Sequence, residues 1–392
     1  MSFCSLLKKS GFFVLNCLLI LSLLIFPAHN VSAAAITPST DMSFDCASAI
    51  LMDADTGTVL FEQNADASLP PASVTKIMTL LLVMEEIEKG NLKYTDMITA
   101  SANAASMGGS QIYLKEGEEM TAEDMIKSVV VSSANDAAVA LAEHIAGSES
   151  VFVARMNERA KELGMTNTNF ENTNGLDDTA TNHVTSARDI AIMSRELIKH
   201  EDILKYSSIW MDTIRNGAFG LTNTNRLVRF YEGATGLKTG STSKAKFCVS
   251  ATAKRDGMHL ICVIMAAPSS DVRNSIATQL LNWGFANYCI YKNEGREITP
   301  MTVLGGVADK CKIKYESFSS VLKKGDNAKV ELKYVLPENV AAPIKAGDEI
   351  GYIEYTCNGE SIGKSRIIAS QDVNKISFWE IFERMLSKFV LK

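Results

Sequence analysis

The sequence predicts a mixed α/β protein of the α+β type: an antiparallel sheet flanked by helices with a helical subdomain, then a small all-β domain and a C-terminal amphipathic helix. Three observations carry this. Strand-like apolar runs stand at 48–62 and 235–266 with helical patterns between them, and strands that meet across such a gap build a sheet covered by the intervening helices. After Tyr288 the texture changes to short alternating segments separated by Gly, Asn and Pro, the pattern of independent β structure. The final stretch, 376–392, sorts its aromatic and aliphatic residues onto one side.

At the N-terminus, Lys8 and Lys9 precede an apolar run from Gly11 to Phe26, and small residues follow at Val31 to Ala35. This reads as a secretory signal peptide, residues 1–33, cleaved near Ala33 to Ala35. A retained anchor is the alternative, but the run falls short of the roughly 20 residues that span a bilayer. The expected location is therefore outside the cytoplasm; with the family resemblance given below, this implies the outer face of the cytoplasmic membrane and the cell wall.

Ser48 to Met52 and Val59 to Glu62 read as two strands joined by a turn at Asp53-Ala-Asp-Thr-Gly57. The Asp53/Asp55 pair resembles a calcium loop, yet Gly57 stands one place early and the twelfth place lacks a glutamate, so a turn is expected. Pro70-Pro71 stops the extended chain, and Ser73 to Gly90 carries Ile77, Leu80, Leu81, Met84 and Ile87 at the spacing of a core-facing helix. Thr121 to Asp124 is a capping-box start for a helix to Ser132. Further helices are expected over Asp136–Ile145 and Ser150–Leu163. Strands follow at Thr235–Thr239, Lys246–Lys254 and His259–Ala266, which closes a first domain of residues 34–290. A small β-sandwich-like domain is expected over 298–372, with strands at 330–334, 349–355 and 365–369. The amphipathic helix, 375–392, places Phe378, Trp379, Phe382 and Phe389 opposite Glu380, Arg384 and Lys388, a pattern that suits a membrane surface.

The chain has 392 residues and a net charge of −6 without a basic stripe, which excludes a nucleic-acid partner. Of eight cysteines, Cys4 and Cys17 leave with the signal, and the remaining six form no CxxC pair. Neither a zinc site nor any other metal or cofactor is expected. Cys248 and Cys262 lie in strand-like apolar runs, where a buried thiol is expected rather than a required bridge.

Three short motifs occur in order: Ser73-Val-Thr-Lys76, Ser133-Ala-Asn135 and Lys238-Thr239-Gly240. Each alone is weak, because Ser-x-x-Lys recurs at Ser241/Lys244 and Ser320/Lys323, and Ser-x-Asn at Ser101/Asn103. Only Ser73 follows a proline pair at the head of a long amphipathic helix. The i,i+3 spacing places Lys76 on the same face, with Cβ atoms about 5–6 Å apart. A capping serine with a solvated lysine is the alternative for an isolated motif. The serine needs a base, and Gly-x-Ser-x-Gly is absent while His144, His183 and His259 stand in no triad setting. A lysine must serve, with its pKa depressed by desolvation or by a neighbouring cation, for which Lys238 is the candidate. Ser133 and Asn135 lie between two helices, where a hydroxyl can shuttle protons and an amide can bind a substrate backbone, or either can cap a helix. Gly240 lets a peptide approach the strand edge, and Lys238 and Thr239 can bind a terminal carboxylate.

On these motifs, and on PPASVTKIMT, VVSSANDAAVALAEHIAG, FENTNGLDD and GLKTGSTSKAKFCVSATA, the chain resembles the low-molecular-mass penicillin-binding proteins of the D-Ala-D-Ala carboxypeptidase family, with a likeness to its spore-cortex branch. The resemblance implies Ser73 as nucleophile, Lys76 as general base, Ser133 and Asn135 as shuttle and substrate clamp, and Lys238 and Thr239 as carboxylate binders. It implies an oxyanion hole from the N–H groups of Ser73 and Ser241, beside Gly240. Arg273 falls where the family places an arginine near the substrate carboxylate; a surface helix residue is the alternative. Partners so implied are a peptidoglycan stem peptide ending in D-Ala-D-Ala, and β-lactams. Ser241 departs from relatives that carry histidine there, so fine specificity does not transfer. A β-lactamase would use a loop glutamate in a Glu-x-x-Leu-Asn context, where this chain has Phe170-Glu-Asn-Thr-Asn-Gly-Leu176. A noncatalytic penicillin sensor is the remaining reading, and the intact motifs argue against it.

Overall fold

The computed structural model describes residue 38 and residues 42–178 and 180–390. The apolar N-terminal segment and its expected cleavage site lie outside the described residues. Five strands, β1 (Ser48–Asp53), β2 (Val59–Gln63), β3 (Ala234–Thr242), β4 (Lys246–Arg255) and β5 (Met258–Ala267), form an antiparallel sheet in the order β2-β1-β5-β4-β3. The two distant sequence segments meet where β1 pairs with β5, Leu51 opposite Cys262. This leaves β3 at an edge.

Both faces of the sheet are covered, and the side chains divide by alternation. Ile261, Val263 and Met265 enter the core shared with the helical subdomain. Leu260, Cys262 and Ile264 enter a second core beneath the helix Ser270–Asn287. A strand buried on both sides keeps no polar alternation, so β5 reads as one apolar run. Cys248 in β4 and Cys262 in β5 are buried thiols.

The helical subdomain is built from α1 (Lys76–Glu88), α2 (Ala122–Val131), α3 (Asn135–Ala146), α4 (Glu149–Glu162) and α5 (Ala187–Leu197), and α6 (Ser270–Asn287) covers the opposite face. Thr121 Oγ1 accepts the Asp124 N–H at 3.2 Å to start α2, and Gly147 ends α3 at φ +78°, the left-handed C-terminal residue that glycine supplies without steric cost. One expectation is corrected here. Ser73 does not head the α-helix: it lies in a 3-10 turn, Ala72–Thr75, and α1 begins at Lys76. Ala72, where that turn begins, sits at φ +50°, a left-handed conformation through which α1 cannot extend backwards. The turn at Asp53 is a turn: its Oδ1 accepts the Thr56 N–H at 2.9 Å and the Thr56 hydroxyl at 2.7 Å.

Beyond Asn287 come a two-stranded ribbon, Tyr288–Asn293 with Phe318–Lys323, and a six-stranded sheet. One face of that sheet packs Ile313, Tyr315, Ile353, Tyr355 and Ile367 into a third core. The last helix, α7 (Phe378–Val390), leaves Phe378, Trp379, Phe382 and Met385 exposed. Its Arg384 donates to the Val307 carbonyl and to Asp309. Among the described residues no single helix is long and apolar enough to cross a membrane.

Candidate active site

The three motifs converge where the Ser73 turn, the α2–α3 junction and the edge strand β3 meet. Lys76 is fully buried, and its Nζ lies 3.0 Å from Ser73 Oγ, 2.5 Å from Asn135 Oδ1 and 2.8 Å from the Asn174 carbonyl oxygen. The orientation of the Asn135 amide is fixed, because its Nδ2 donates to the Gly108 carbonyl at 2.7 Å. Oδ1 and the Asn174 carbonyl can only accept. A neutral Lys76 therefore spends its two N–H groups on them and turns its lone pair to Ser73 Oγ.

Burial holds the Lys76 pKa well below its ordinary 10.5; the nearby Lys238 charge lowers it further and buried Asp136 partly opposes this. The Asp136 carboxylate accepts N–H bonds from Ile112, Leu114 and Ala137. It thereby ties the loop that covers Asn135 to the first turn of α3. Lys238, also buried, donates to Ser133 Oγ at 2.8 Å and to the Thr239 carbonyl at 2.9 Å. Burial, then the charge of Arg273, lowers its pKa to about 7. Ser133 stands at φ +63°, so the strained junction turns its hydroxyl to Lys238. Thr239 Oγ1 donates to Thr224 Oγ1 at 2.7 Å.

Gly240 has a packing role beside the expected one. A methyl there would lie 2.8 Å from the Ser73 amide nitrogen and 2.9 Å from the Pro71 carbonyl. Its missing side chain admits the Ser73 turn against β3. Ser241, the next residue along β3, is exposed. Gly175 abuts the same turn from the other side, at φ +83°, where a methyl would sit 1.8 Å from the Ala72 carbonyl oxygen. Arg273 is 5% exposed, which removes the surface-residue alternative. It donates to the Cys248 carbonyl at 3.3 Å and to Asn274, and Cys248 is the β4 partner of Gly240.

The second Ser-x-Asn stands apart, with Ser101 capping the short helix Ala102–Ala105 through the Ala104 N–H and Asn103 bonded to Glu143. Sequence reasoning missed the Asn174 carbonyl, Asp136 and Thr224. A backbone acceptor leaves no mark in residue type, but Asp136 adjoins Asn135 and Asn174 lies inside the quoted FENTNGLDD segment.

The chain matches two family models: D-alanyl-D-alanine carboxypeptidase, peptidase S11, over residues 34–269, and the penicillin-binding protein 5 C-terminal domain over residues 293–375. It is 41% identical over 360 residues to D-alanyl-D-alanine carboxypeptidase DacF of Bacillus subtilis, covering 89% of this chain and 91% of that one. Identity to DacC of Escherichia coli is 34% over 363 residues, 88% of this chain and 89% of the relative. The crystal structure of penicillin-binding protein 5 from Haemophilus influenzae superposes with a TM-score of 0.76 at 32% identity, covering 86% of this chain and all of that chain. With the carboxypeptidase model spanning the five-stranded sheet, the helical subdomain and the three converging motifs, this chain belongs to the peptidase S11 family of serine-type D-alanyl-D-alanine carboxypeptidases.

Proposed function

We propose that this enzyme removes the terminal D-alanine of peptidoglycan stem peptides through an ester on Ser73, and that β-lactams acylate the same hydroxyl. The observation that carries the reading is the partner set of Lys76. Two acceptor-only groups and a depressed pKa aim a neutral amine's lone pair at Ser73 Oγ.

In the forward step the Ser73 proton passes to Lys76 Nζ as Oγ bonds to the carbonyl carbon of the penultimate residue. The N–H groups of Ser73 and Ser241 receive the oxyanion. Ser133 Oγ accepts from Lys238, so its own proton is free for the departing amine as the C–N bond breaks. The proton on Lys76, disfavoured by burial and by Lys238, replaces the one Ser133 gives away. Water then attacks the ester, and Ser73 regains its proton. Lys238 and Thr239 hold the terminal carboxylate, Asn135 the substrate backbone, and buried Arg273 adds positive charge behind the strand. Glu171 supports no lactamase-like role: it is exposed, and its carboxylate accepts the N–H groups of Thr181 and Asn182.

Turnover of diacetyl-Lys-D-Ala-D-Ala tests the function, and free D-alanine is the expected product. Lys238→Ala should raise KM for this free acid far more than for the C-terminally amidated peptide. In the wild type, KM for the free acid should rise as pH passes about 7, because the unliganded Lys238 then loses its proton. Equal losses on both peptides would remove Lys238 from carboxylate recognition.

We infer further that the exported protein rests on the membrane through α7, whose exposed Phe378, Trp379 and Phe382 can bury at the headgroup boundary. Deleting 375–392 should abolish flotation with anionic liposomes and leave peptide turnover intact. Signal-cleaved, full-length protein that floats with no lipid composition would exclude this.

A further inference from the structure

His183 is a buried imidazole that the mechanism above does not use. Its Nδ1 accepts the Glu171 N–H at 3.0 Å, and its Nε2 lies 2.7 Å from Thr75 Oγ1. A backbone N–H can only donate, so Nδ1 carries no proton and Nε2 does. Nε2–H therefore donates to Thr75 Oγ1, whose own proton goes to the Ala72 carbonyl at 2.9 Å. Each donor in this chain has one acceptor, and every direction is fixed. Ala72 is the residue held at φ +50° just before Ser73. A residue with a Cβ keeps that conformation only where its surroundings enforce it. The Ala72 carbonyl is bonded by Thr75 and abutted by Gly175. Gly175 and His183 belong to one segment, 170–183, which also supplies the Asn174 carbonyl to Lys76. Phe170 packs edge-on against the imidazole, with ring centroids 5.8 Å apart.

We propose that His183 is a positioning residue for acylation: its Nε2–H tautomer fastens the 170–183 segment to the Ser73 turn through Thr75, holding the nucleophile in register with Lys76. The inference rests on Ser73 being the residue acylated. A protonated ring would set a second N–H against the Glu171 N–H and break the chain. Burial keeps the ring neutral by lowering its pKa to about 4, with Glu171 and Asp177 the charged groups whose fields oppose that shift.

The test is stopped-flow acylation of signal-cleaved, full-length protein by a fluorescent penicillin, separating the noncovalent constant from the acylation rate. His183→Ala should lower the acylation rate by about 10- to 100-fold, as small misplacements of reacting groups do, with the noncovalent constant nearly unchanged. Thr75→Val should behave alike, and the double variant should fall no further than the worse single one. His183→Gln, whose amide can both accept and donate, should recover part of the loss. A wild-type rate in folded His183→Ala, or losses that multiply in the double variant, would overturn the proposal. If His183→Ala does not fold, Thr75→Ser against Thr75→Val decides, since serine keeps the hydroxyl and must keep the rate; equal losses count against it. Nitrogen-15 NMR of the wild-type ring must show the Nε2–H tautomer at neutral pH. Absence of label on wild-type Ser73 would instead overturn the acyl-enzyme reading.

Discussion

Ser73→Ala should abolish the covalent penicillin adduct and reduce turnover of diacetyl-Lys-D-Ala-D-Ala by about 10⁴- to 10⁶-fold, the scale on which removing a nucleophile acts in serine hydrolases. Ser133 is the hydroxyl that could compete for the role. It lies 2.8 Å from Lys238 Nζ, whose pKa falls to about 7, so a second serine–lysine pair exists in the same cleft. Its partners separate the two. Lys238 also donates to the Thr239 carbonyl, while Lys76 is surrounded so that its free position faces Ser73. The buried histidines offer no alternative base, because His183 is bonded to Thr75 and His259 to Thr235. Peptide mapping of the labelled protein should place the adduct on Ser73. In folded Ser73→Ala, an adduct transferred to Ser133 would exchange the two roles, and an unchanged rate of D-alanine release would remove the acyl-enzyme altogether.

Much of this architecture was legible because it follows from periodicity. The unbroken apolar run of β5, the N-cap at Thr121 and the one-sided pattern of α7 are each carried by residue type. The site was legible in another way, as three motifs that match a known family, with side chains whose chemistry is explicit. What remained hidden is carried by backbone and packing. The 3-10 turn at Ser73 depends on Ala72 at φ +50°, and alanine advertises no left-handed conformation. The packing role of Gly240 is hidden as well, because its contact is the Ser73 amide, a neighbour more than 160 residues away in sequence. The Asn174 carbonyl, which helps orient the Lys76 amine, is an atom every residue has. Arg273 was open between cleft and surface, because one arginine near a helix start fits both until burial is known.

Lys76→Ala should slow acylation by about 10² to 10⁴, the usual contribution of a positioned general base, and the shape of the pH profile should change with it. In the wild type the amine must be neutral to take the Ser73 proton. Its pKa lies well below 10.5, so the acylation rate should rise with pH through that depressed value and then level off. In Lys76→Ala this acid limb should vanish. The cause of the depression can be tested separately, since the charge of Lys238 lowers the Lys76 pKa. Removing that charge must raise the Lys76 pKa and move the acid limb of Lys238→Ala to higher pH. A penicillin is the suitable probe, because the covalent product accumulates and acylation is read directly. Should the limb persist unchanged in Lys76→Ala, or move to lower pH in Lys238→Ala, the proton acceptor is another group and the geometry at Ser73 Oγ has been misassigned.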